Sequence, residues 1–434
     1  MTTRSAVPTK TDRIAVIGAG AGGLIAARTL KELGYGRVTV FEREARVGGK
    51  MKSVVHEGLA YDLGAVVLSQ DYEIALRIAA EAGIGLQPVP PRGITDLDRG
   101  AVPKRLGKYA SDRFGLFAVI AAAVRYWRLT GRHEALFAPG FAQASPELYV
   151  PFADYARGKG IDAFSAILET VFLDYGYGDY SKIPALYVVK LWDKHKLRHL
   201  LPLVLGRNTG WPAIVPRGFQ SICEAAAVGL DVRTNSPISR VERTERDGGV
   251  EIQVTTPAGT ERFDRLIVAA PLDLSLSFLD ASAEETDLFR RLRHYDVWST
   301  LFEADALPQR MNFMAHPAMP AYGRLVGTLK PHAAPKSLAV GYQYGDGTQS
   351  AAQQEAALRA EVKLLGAEVG RVLAQEKWRY FPHVLTADLQ AGFFPRVEAL
   401  QGVRGTYYTG GALSFESVSH VMNGAAALVR SKFG

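Results

Sequence analysis

The feature that most constrains this chain is a glycine-rich segment close to its N-terminus. An apolar run, Arg13-Ile14-Ala15-Val16-Ile17, leads directly into Gly18-Ala19-Gly20-Ala21-Gly22-Gly23 and then into an amphipathic stretch that ends near Leu33. This pattern predicts a buried strand, a tight turn and a helix. In such a unit Gly18 permits the turn, Gly20 lets the backbone approach a diphosphate, and Gly23 lets the helix pack on the strand. The sequence therefore predicts an α/β fold with a dinucleotide site where the helix begins.

An acidic residue follows at the spacing that such a site requires. The next apolar run, Val38-Thr39-Val40-Phe41, ends at Glu42. An acid about 20 residues beyond the glycines is where the ribose hydroxyls of the adenosine are held. We assign Glu42 and its neighbour Arg43 to cofactor binding. This much of the pattern fits NAD as well as FAD.

A second glycine pair separates these two cofactors. The segment Arg46-Val47-Gly48-Gly49-Lys50-Met51 comes directly after the ribose acid, and nicotinamide dehydrogenases do not usually have glycines there. The segment resembles the flavin amine oxidase and phytoene desaturase superfamily, in which the acid is followed by an arginine-x-glycine-glycine signature. The resemblance implies FAD, with Gly49 and Lys50 near it. Tyr61-Asp62-Leu63-Gly64-Ala65 resembles the next superfamily segment, which passes near the flavin.

Two distant stretches extend the resemblance. A strand series opens at Pro237-Ile238-Ser239, and the resemblance places Ile238 against the adenine. Near the C-terminus, Gly410 and Gly411 follow a predicted strand and precede a predicted helix from about His420 to Lys432. Ser419 is a suitable N-cap for that helix. The superfamily directs the N-terminus of this helix at the flavin O2, which implies that Val421 and Met422 supply backbone N–H groups there.

The resemblance also implies how the chain is divided. A discontinuous Rossmann-like FAD-binding domain of the amine oxidase type is expected over residues 11–69, 211–280 and 393–434. A second, mixed α+β substrate domain is expected over residues 70–210 and 281–392, and a chain of 434 residues is too long for one simple core. The flavin is expected to be non-covalent, because the only cysteine, Cys223, lies outside the signature segments. Its apolar neighbours predict a buried thiol, and a metal site built on thiolates is excluded.

Charge and hydropathy bear on partners and location. The net charge is +7, yet nothing resembles a nucleic-acid module. Two interpretations of this charge stay open: a basic surface that attracts acidic substrates or anionic lipid, and solvated basic residues scattered over the surface. Two apolar stretches with basic borders, Phe114–Val124 and Leu200–Leu205, are too short to span a bilayer. They are typical both of helices lying on a membrane surface and of buried helices with snorkelling ends. The single thiol, predicted to be buried, favours the reducing cytoplasm, and residues 1–11 are too polar for a signal peptide. We therefore expect a cytoplasmic protein, with peripheral membrane contact left open.

Two further motifs point to a narrower family. They are Tyr175-Gly176-Tyr177-Gly178-Asp179-Tyr180, followed by Ile183–Lys190, and Trp378-Arg379-Tyr380-Phe381-Pro382-His383-Val384, followed by Ala391–Phe394. Both resemble the polyenoic fatty acid isomerases and, more loosely, the fungal cyclopiazonate-type dehydrogenases. The resemblance implies a redox-neutral reaction, in which a hydride leaves a doubly allylic CH2 and returns two carbons away to give a conjugated diene.

The same resemblance implies a small, lipophilic and acidic substrate. Arg92, in Pro90-Pro91-Arg92-Gly93, falls near the carboxylate-binding arginine of the family, although an ordinary loop arginine is the alternative. A histidine beside Pro382 is more often a packed core residue than a catalytic one. We therefore assign no side chain to proton transfer, and we expect the pocket to be lined by Tyr177, Tyr187, Tyr380, His383 and Phe394.

Other functions remain open at this stage. Amine oxidases frame the substrate nitrogen with two aromatic residues, and the matching positions here are Phe394 and Val421, so half of that cage is missing. An FAD-dependent dehydrogenase or oxidative cyclase acting on a lipophilic metabolite survives this comparison. A flavin-holding protein without turnover is the non-enzymatic alternative.

Overall fold

The computed structural model describes residues 7–89, 92–96, 102–194, 196–198, 211–246, 249–307, 311–316, 322–332 and 338–434. Its strands are β1 Ile14–Ile17, β2 Val38–Phe41, β3 Ser53–His56, β4 Leu59–Asp62, β5 Gln87–Pro88, β6 Arg92–Thr95, β7 Ala213–Ile214, β8 Asp231–Arg233, β9 Arg240–Arg246, β10 Gly249–Thr256, β11 Gly259–Phe263, β12 Arg265–Val268, β13 Arg293–Asp305, β14 Met311–Met314, β15 Leu325–Leu329, β16 Leu338–Gly345, β17 Glu368–His383 and β18 Thr406–Tyr408. Its α-helices are α1 Ala21–Glu32, α2 Glu73–Glu81, α3 Leu106–Phe114, α4 Leu116–Arg132, α5 Phe152–Lys159, α6 Asp162–Asp174, α7 Ala185–Leu191, α8 Gln220–Ala227, α9 Leu272–Ser275, α10 Ala283–Arg290, α11 Ala351–Leu364, α12 Thr386–Gln390, α13 Phe393–Leu400, α14 Gly411–Ser414 and α15 Val418–Phe433.

A parallel sheet of five strands, in the order β18-β12-β1-β2-β8, carries the glycine-rich turn. Every residue of β1 and β12 is buried, as expected for central strands whose two faces are both covered. Helix α1 packs on α15 and α8. The predicted strand and helix around the glycines are confirmed, and so is the α/β fold class.

A second sheet forms the other half of the molecule. Its six strands run in the order β17-β13-β16-β15-β14-β6 and are antiparallel except for the β14–β6 pair. Helices α3 to α7 pack together beside it, and α6 contacts β14 and β15 directly. Helix α2, which follows the predicted boundary at residue 69, packs through Ala75, Ile78 and Ala79 into the same cluster as α1. The domain boundaries themselves stay predictions.

Two local predictions have different outcomes. Cys223 is fully buried, with its Sγ 3.7 Å from the Sδ of Met51, which confirms the predicted core thiol. The predicted N-cap of the last helix is wrong, because α15 begins at Val418 and is capped by Ser417 Oγ, which accepts from the His420 N–H at 3.3 Å. Both serines suit the position, and Ser419 instead donates to the Asp71 carbonyl at 2.9 Å.

A buried charge cluster ties three elements together. The guanidinium of Arg243, on β9, donates to both oxygens of Glu285 on α10, at 2.7 and 2.9 Å, and to Asp280 at 2.6 Å. Tyr408, on β18, donates to Glu285 as well. The side chain of Arg243 is fully buried, so these bonds must satisfy its charge.

We predict that Arg243→Met lowers the free energy of unfolding by about 3–5 kcal/mol, because it leaves the buried Glu285 without its counter-charge, whereas Asp280 keeps Arg404. Urea denaturation measures the loss. Arg246→Met on the same strand is the control, since Arg246 is 61% exposed and its ion pair with Glu251 is worth at most about 1 kcal/mol. Equal losses in the two variants would contradict the assignment.

The same cluster predicts an acid dependence. Burial alone would raise the pKa of Glu285, but the hydrogen bonds and charge of Arg243 outweigh it and lower this pKa from 4.5 to about 2. Since the folded-state pKa is the lower one, the stabilisation is complete above the unfolded-state pKa and is lost as the pH falls through the folded value. Unfolding measured between pH 4.5 and 2 should therefore be less pH-dependent for Glu285→Gln than for the wild type. Parallel curves would exclude this role.

Candidate active site

Three glycine segments that are far apart in the sequence meet at the carboxyl end of β1. The Gly48 N–H donates to the Ala19 carbonyl at 2.9 Å, and Gly20 and Gly48 form an isolated parallel bridge. A Cβ on Gly22 would lie 3.8 Å from the Cα of Gly410. The turn after β1, the second glycine pair and the segment after β18 thus form one surface at the N-terminus of α1.

The geometry of this surface fits the diphosphate of a dinucleotide. A Cβ on Gly23 would lie 1.8 Å from the Gly18 carbonyl oxygen, so the helix can pack here only without a side chain. A Cβ on Gly20 would meet only the Cα of Gly49, at 3.9 Å, so the space in front of Gly20 is open to a ligand. Gly20 is also the N-cap of α1, and no side chain caps the first-turn N–H groups. These groups and the positive end of the helix suit a phosphate.

The acid at the end of β2 is fixed in place. Glu42 is buried and accepts from the Ala19 N–H at 2.8 Å and from the Glu44 N–H at 3.0 Å. The Ser236 N–H donates to the Glu42 carbonyl, which brings the half-buried Ile238 segment to the same end of the sheet. Arg43 is two-thirds exposed and pairs with Glu44 at 3.2 Å, so its side chain lies on the surface beside this end.

An ion pair lies between the glycine surface and the second sheet. The Lys50 ammonium contacts the carboxylate of Glu416 and lies 5.2 Å from the ring centre of Tyr380. Burial raises the pKa of Glu416, and the charge of Lys50 and its hydrogen bond oppose that rise. Among the described residues, the second carboxylate oxygen of Glu416 has no hydrogen-bond partner. The sequence assigned Lys50 to the cofactor but missed Glu416, because no motif marks an acid at that position.

Beyond this ion pair lies a cavity between the two sheets. Its walls come from four parts of the chain: the segment after β4, the end of α6, the second sheet and the start of α15. Most of the lining is aromatic or aliphatic, and the acids Asp174 and Glu416 also face it. No lysine, arginine or histidine lines it within the described part of the chain. The aromatic lining consists of Tyr72, Tyr175, Tyr177, Tyr342, Trp378 and Tyr380.

The tyrosine-glycine motif explains how two of these rings come together. Gly176 has a φ of +83°, and a Cβ there would lie 2.8 Å from Cδ1 of Tyr380. Only glycine lets the backbone turn at such a φ while the ring of Tyr380 lies against it. Tyr177 then stacks on Tyr380 with ring centres 6.0 Å apart. Both of these sequence-predicted residues line the cavity.

Three other predicted lining residues lie outside this cavity wall. Tyr187 is buried and accepts from the Val384 N–H at 3.0 Å. His383 contacts the Phe381 carbonyl and stacks on Tyr295, and burial lowers the pKa of His383 to about 4, so its ring is neutral near pH 7. Phe394 stacks on Phe141 with centres 4.4 Å apart. These three side chains belong to the aromatic core that supports the wall.

The start of α15 changes the predicted backbone donors. The Val421 N–H donates to the Ser417 carbonyl at 3.0 Å, so it is used inside the helix, and by helix geometry the same holds for Met422. The first turn, where N–H groups lack helical acceptors, instead begins at Val418. Ser417 and Val418 line the cavity, while the side chain of Val421 abuts the Gly22 position. The helix does point at the site, but one turn earlier than predicted.

Arg92 is placed only through its backbone. It pairs with Met311 across the parallel β6–β14 contact, and Met311 lines the cavity. The side chain of Arg92 lies outside the described part of the structure. Its assignment to the substrate carboxylate stays a prediction.

Comparison with known proteins identifies the class. Residues 21–302, which make up most of the chain, match the family of flavin containing amine oxidoreductases. The chain belongs to that family. FAD is the cofactor that this family and its FAD-dependent members imply, and the glycine surface and Glu42 fit it.

Three known proteins are similar to this chain over most of its length. The crystal structure of a fatty acid isomerase from P. acnes superposes with a TM-score of 0.89, covering 98% of this chain and 100% of that one, at 24% identity. The FAD-dependent oxidoreductase dpchF of Colletotrichum higginsianum is 26% identical over 92% of this chain and 88% of its own length. A polyenoic fatty acid isomerase of Ptilota filicina is 22% identical over 68% of this chain and 65% of its own length.

We predict that Gly20→Val weakens FAD binding by at least about 100-fold, because its isopropyl group occupies the space of the diphosphate. The fold should survive, since a Cβ at this position meets no close neighbour. The flavin-to-protein absorbance ratio after gel filtration and the melting temperature of the apoprotein measure the two effects. Gly36→Val is the control, because a Cβ on Gly36 also meets nothing within 4 Å but lies away from the turn. Unchanged flavin content in Gly20→Val would show that the site is elsewhere.

Proposed function

We propose that this protein isomerises a polyunsaturated fatty acid to a conjugated diene. A C–H bond of a doubly allylic carbon breaks and its electron pair leaves with the hydrogen. A C–H bond then forms two carbons away, the double bonds move into conjugation, and no oxidant is consumed. The glycine surface and Glu42 would hold FAD, and bound FAD would supply the acceptor and donor of that hydride. The observation that carries the proposal is an apolar, aromatic cavity beside the glycine surface, with acids but no described base of the lysine, arginine or histidine type in its wall.

The wall suits a hydrocarbon that becomes positively charged. Hydride loss leaves a delocalised cation, and the faces of tyrosine and tryptophan rings attract cations. The carboxylate of Asp174 faces the same cavity and would stabilise such a cation, whereas the carboxylate of Glu416 is already paired with Lys50. Burial raises the pKa of Tyr177 and of Tyr380 above the ordinary value, so both phenols stay neutral near pH 7. The chain therefore binds, orients and excludes water without moving a proton.

Similarity to two isomerases supports the fatty acid as substrate. The P. acnes protein, a fatty acid isomerase, shares the fold over 98% of this chain, and the Ptilota filicina protein bears the name polyenoic fatty acid isomerase. The fungal relative bears the name FAD-dependent oxidoreductase and is similar over 92% of this chain, which favours net oxidation as the second candidate. The dehydrogenase or cyclase acting on a lipophilic metabolite is the form of that candidate that the sequence left open. Amine oxidation is less favoured, since neither Phe394 nor Val421 lines the cavity.

Anaerobic incubation of the FAD-loaded protein with polyunsaturated acids, lipophilic alcohols and amines distinguishes these functions. We expect many turnovers of conjugated-diene absorbance with the acids, while the flavin absorbance is unchanged once the substrate is consumed. Stoichiometric bleaching without diene would favour the dehydrogenase. Bleaching by amines alone would favour an amine oxidase, and either result would contradict the proposal.

We predict that Arg92→Ala weakens the binding of acid substrates by about 10- to 100-fold, while the binding of their methyl esters changes little. A charge-assisted hydrogen bond at a partly solvated cavity entrance contributes about 1.5–3 kcal/mol to binding. Arg92→Lys should recover only part of the loss, because an ammonium cannot form the two-point contact. KM values for acid and ester pairs measure the effect. Equal losses for acid and ester would remove Arg92 from the site.

A further inference from the structure

One helix presents an apolar face to solvent. On α4, Leu116 is 59% exposed, Phe117 88%, Ile120 51% and Val124 44%. At 100° per residue these four positions fall within about a quarter of the helix circumference. The opposite face of α4 is buried, and the helix packs on α3 and α6. The four apolar side chains therefore form one contiguous exposed face on a helix that is packed on its other side. Apolar residues scattered singly over a surface would not form such a face.

The segment that carries this apolar face also carries most of the excess positive charge of the protein. Residues 102–132 contain seven basic residues and one acid, a net charge of +6, where the whole chain carries +7. The acid, Asp112, already pairs with Lys104 and Lys108. Arg128 and Arg132 are exposed and continue the apolar face towards the end of α4. An exposed apolar face with a cationic border is typical of a helix that lies in the headgroup region of a bilayer.

Helices α3 and α4 are both connected to elements that line the cavity. Ile94, on β6, and Lys104, just before α3, exchange backbone hydrogen bonds at 2.8 Å, and β6 lies beside Met311 of the lining. Helix α4 packs on α6, whose last residue, Asp174, also lines the cavity. The exposed face and the cavity thus share their supporting elements.

We propose that α3 and α4 hold this protein on the surface of a bilayer that contains anionic lipid. Leu116, Phe117, Ile120 and Val124 enter the boundary of the acyl chains, and the arginines that border them contact lipid phosphates. None of the described helices is long and apolar enough to cross a membrane, so α4 lies along the surface. A second copy of the chain fits this face less well, because two surfaces of net charge +6 repel each other, whereas anionic headgroups neutralise them.

Co-sedimentation of the FAD-loaded protein with vesicles tests the proposal. We expect binding to vesicles of phosphatidylcholine mixed with phosphatidylglycerol, weakened by salt, and little binding to phosphatidylcholine alone. The double variant Phe117→Ser with Ile120→Ser should bind at least about 10-fold more weakly, because it removes two apolar side chains from the boundary. Arg128→Glu with Arg132→Glu should remove the preference for phosphatidylglycerol.

The matched control is Val228→Ser with Leu364→Ser. These side chains are 79% and 56% exposed, but they lie on α8's C-terminal side and on α11, away from α4. The control should bind vesicles like the wild type, and flavin content and melting temperature should be unchanged in every variant. Vesicle binding that the α4 variants do not alter, or no binding by the wild type at low salt, would overturn the proposal. A concentration-dependent dimer that the Phe117 and Ile120 changes dissociate, without vesicle binding, would assign the face to a second copy.

Discussion

The site depends on backbone segments that touch without side chains between them. Gly20 meets Gly49, and Gly22 meets Gly410, at the carboxyl end of β1. The approach is tightest on the side of Gly49, where the φ is +54° and a Cβ would lie 3.2 Å from the Gly20 Cα, so glycine is required there. This crossing fixes the turn after β1, the second glycine pair and the segment after β18 relative to one another. The cavity lies beside the crossing, so its position follows from the same contacts.

The parts of the fold that the sequence predicts well are those set by local rules. The strand, turn and helix around Gly18 to Gly23 follow from period and glycine spacing, and the structure has them within three residues at each end. The start of α15 shows the limit of such rules. Ser417 and Ser419 have equal local merit as caps, and only the long-range bond from Ser419 to the Asp71 carbonyl separates them.

The cavity wall was predictable only where a motif required it. Tyr177 and Tyr380 are predicted because each lies in a motif that resembles the fatty acid isomerases, and the structure shows that Gly176 lets their rings meet. Tyr342 and Glu416 were missed, because a strand residue and an acid in a loop acquire their positions only when distant elements pack. The opposite error arose with Tyr187 and His383, whose aromatic surroundings favour a pocket and a packed core equally.

On the proposed function, the distribution of charge decides which end of a fatty acid enters. The wall of the cavity carries Asp174 and the Lys50-paired Glu416 but no described basic side chain of its own, so a substrate carboxylate would lose its hydration there without gaining a counter-charge. The outer helices α3 and α4 carry the opposite charge and the exposed apolar face. If the two proposals hold together, a fatty acid that reaches the cavity from a lipid surface would keep its carboxylate towards the basic exterior while its hydrocarbon end enters the aromatic cavity. The distance from the carboxylate to the reacting carbons would then depend on the depth of the cavity, so on this proposal the regiochemistry depends on all the elements that build its wall.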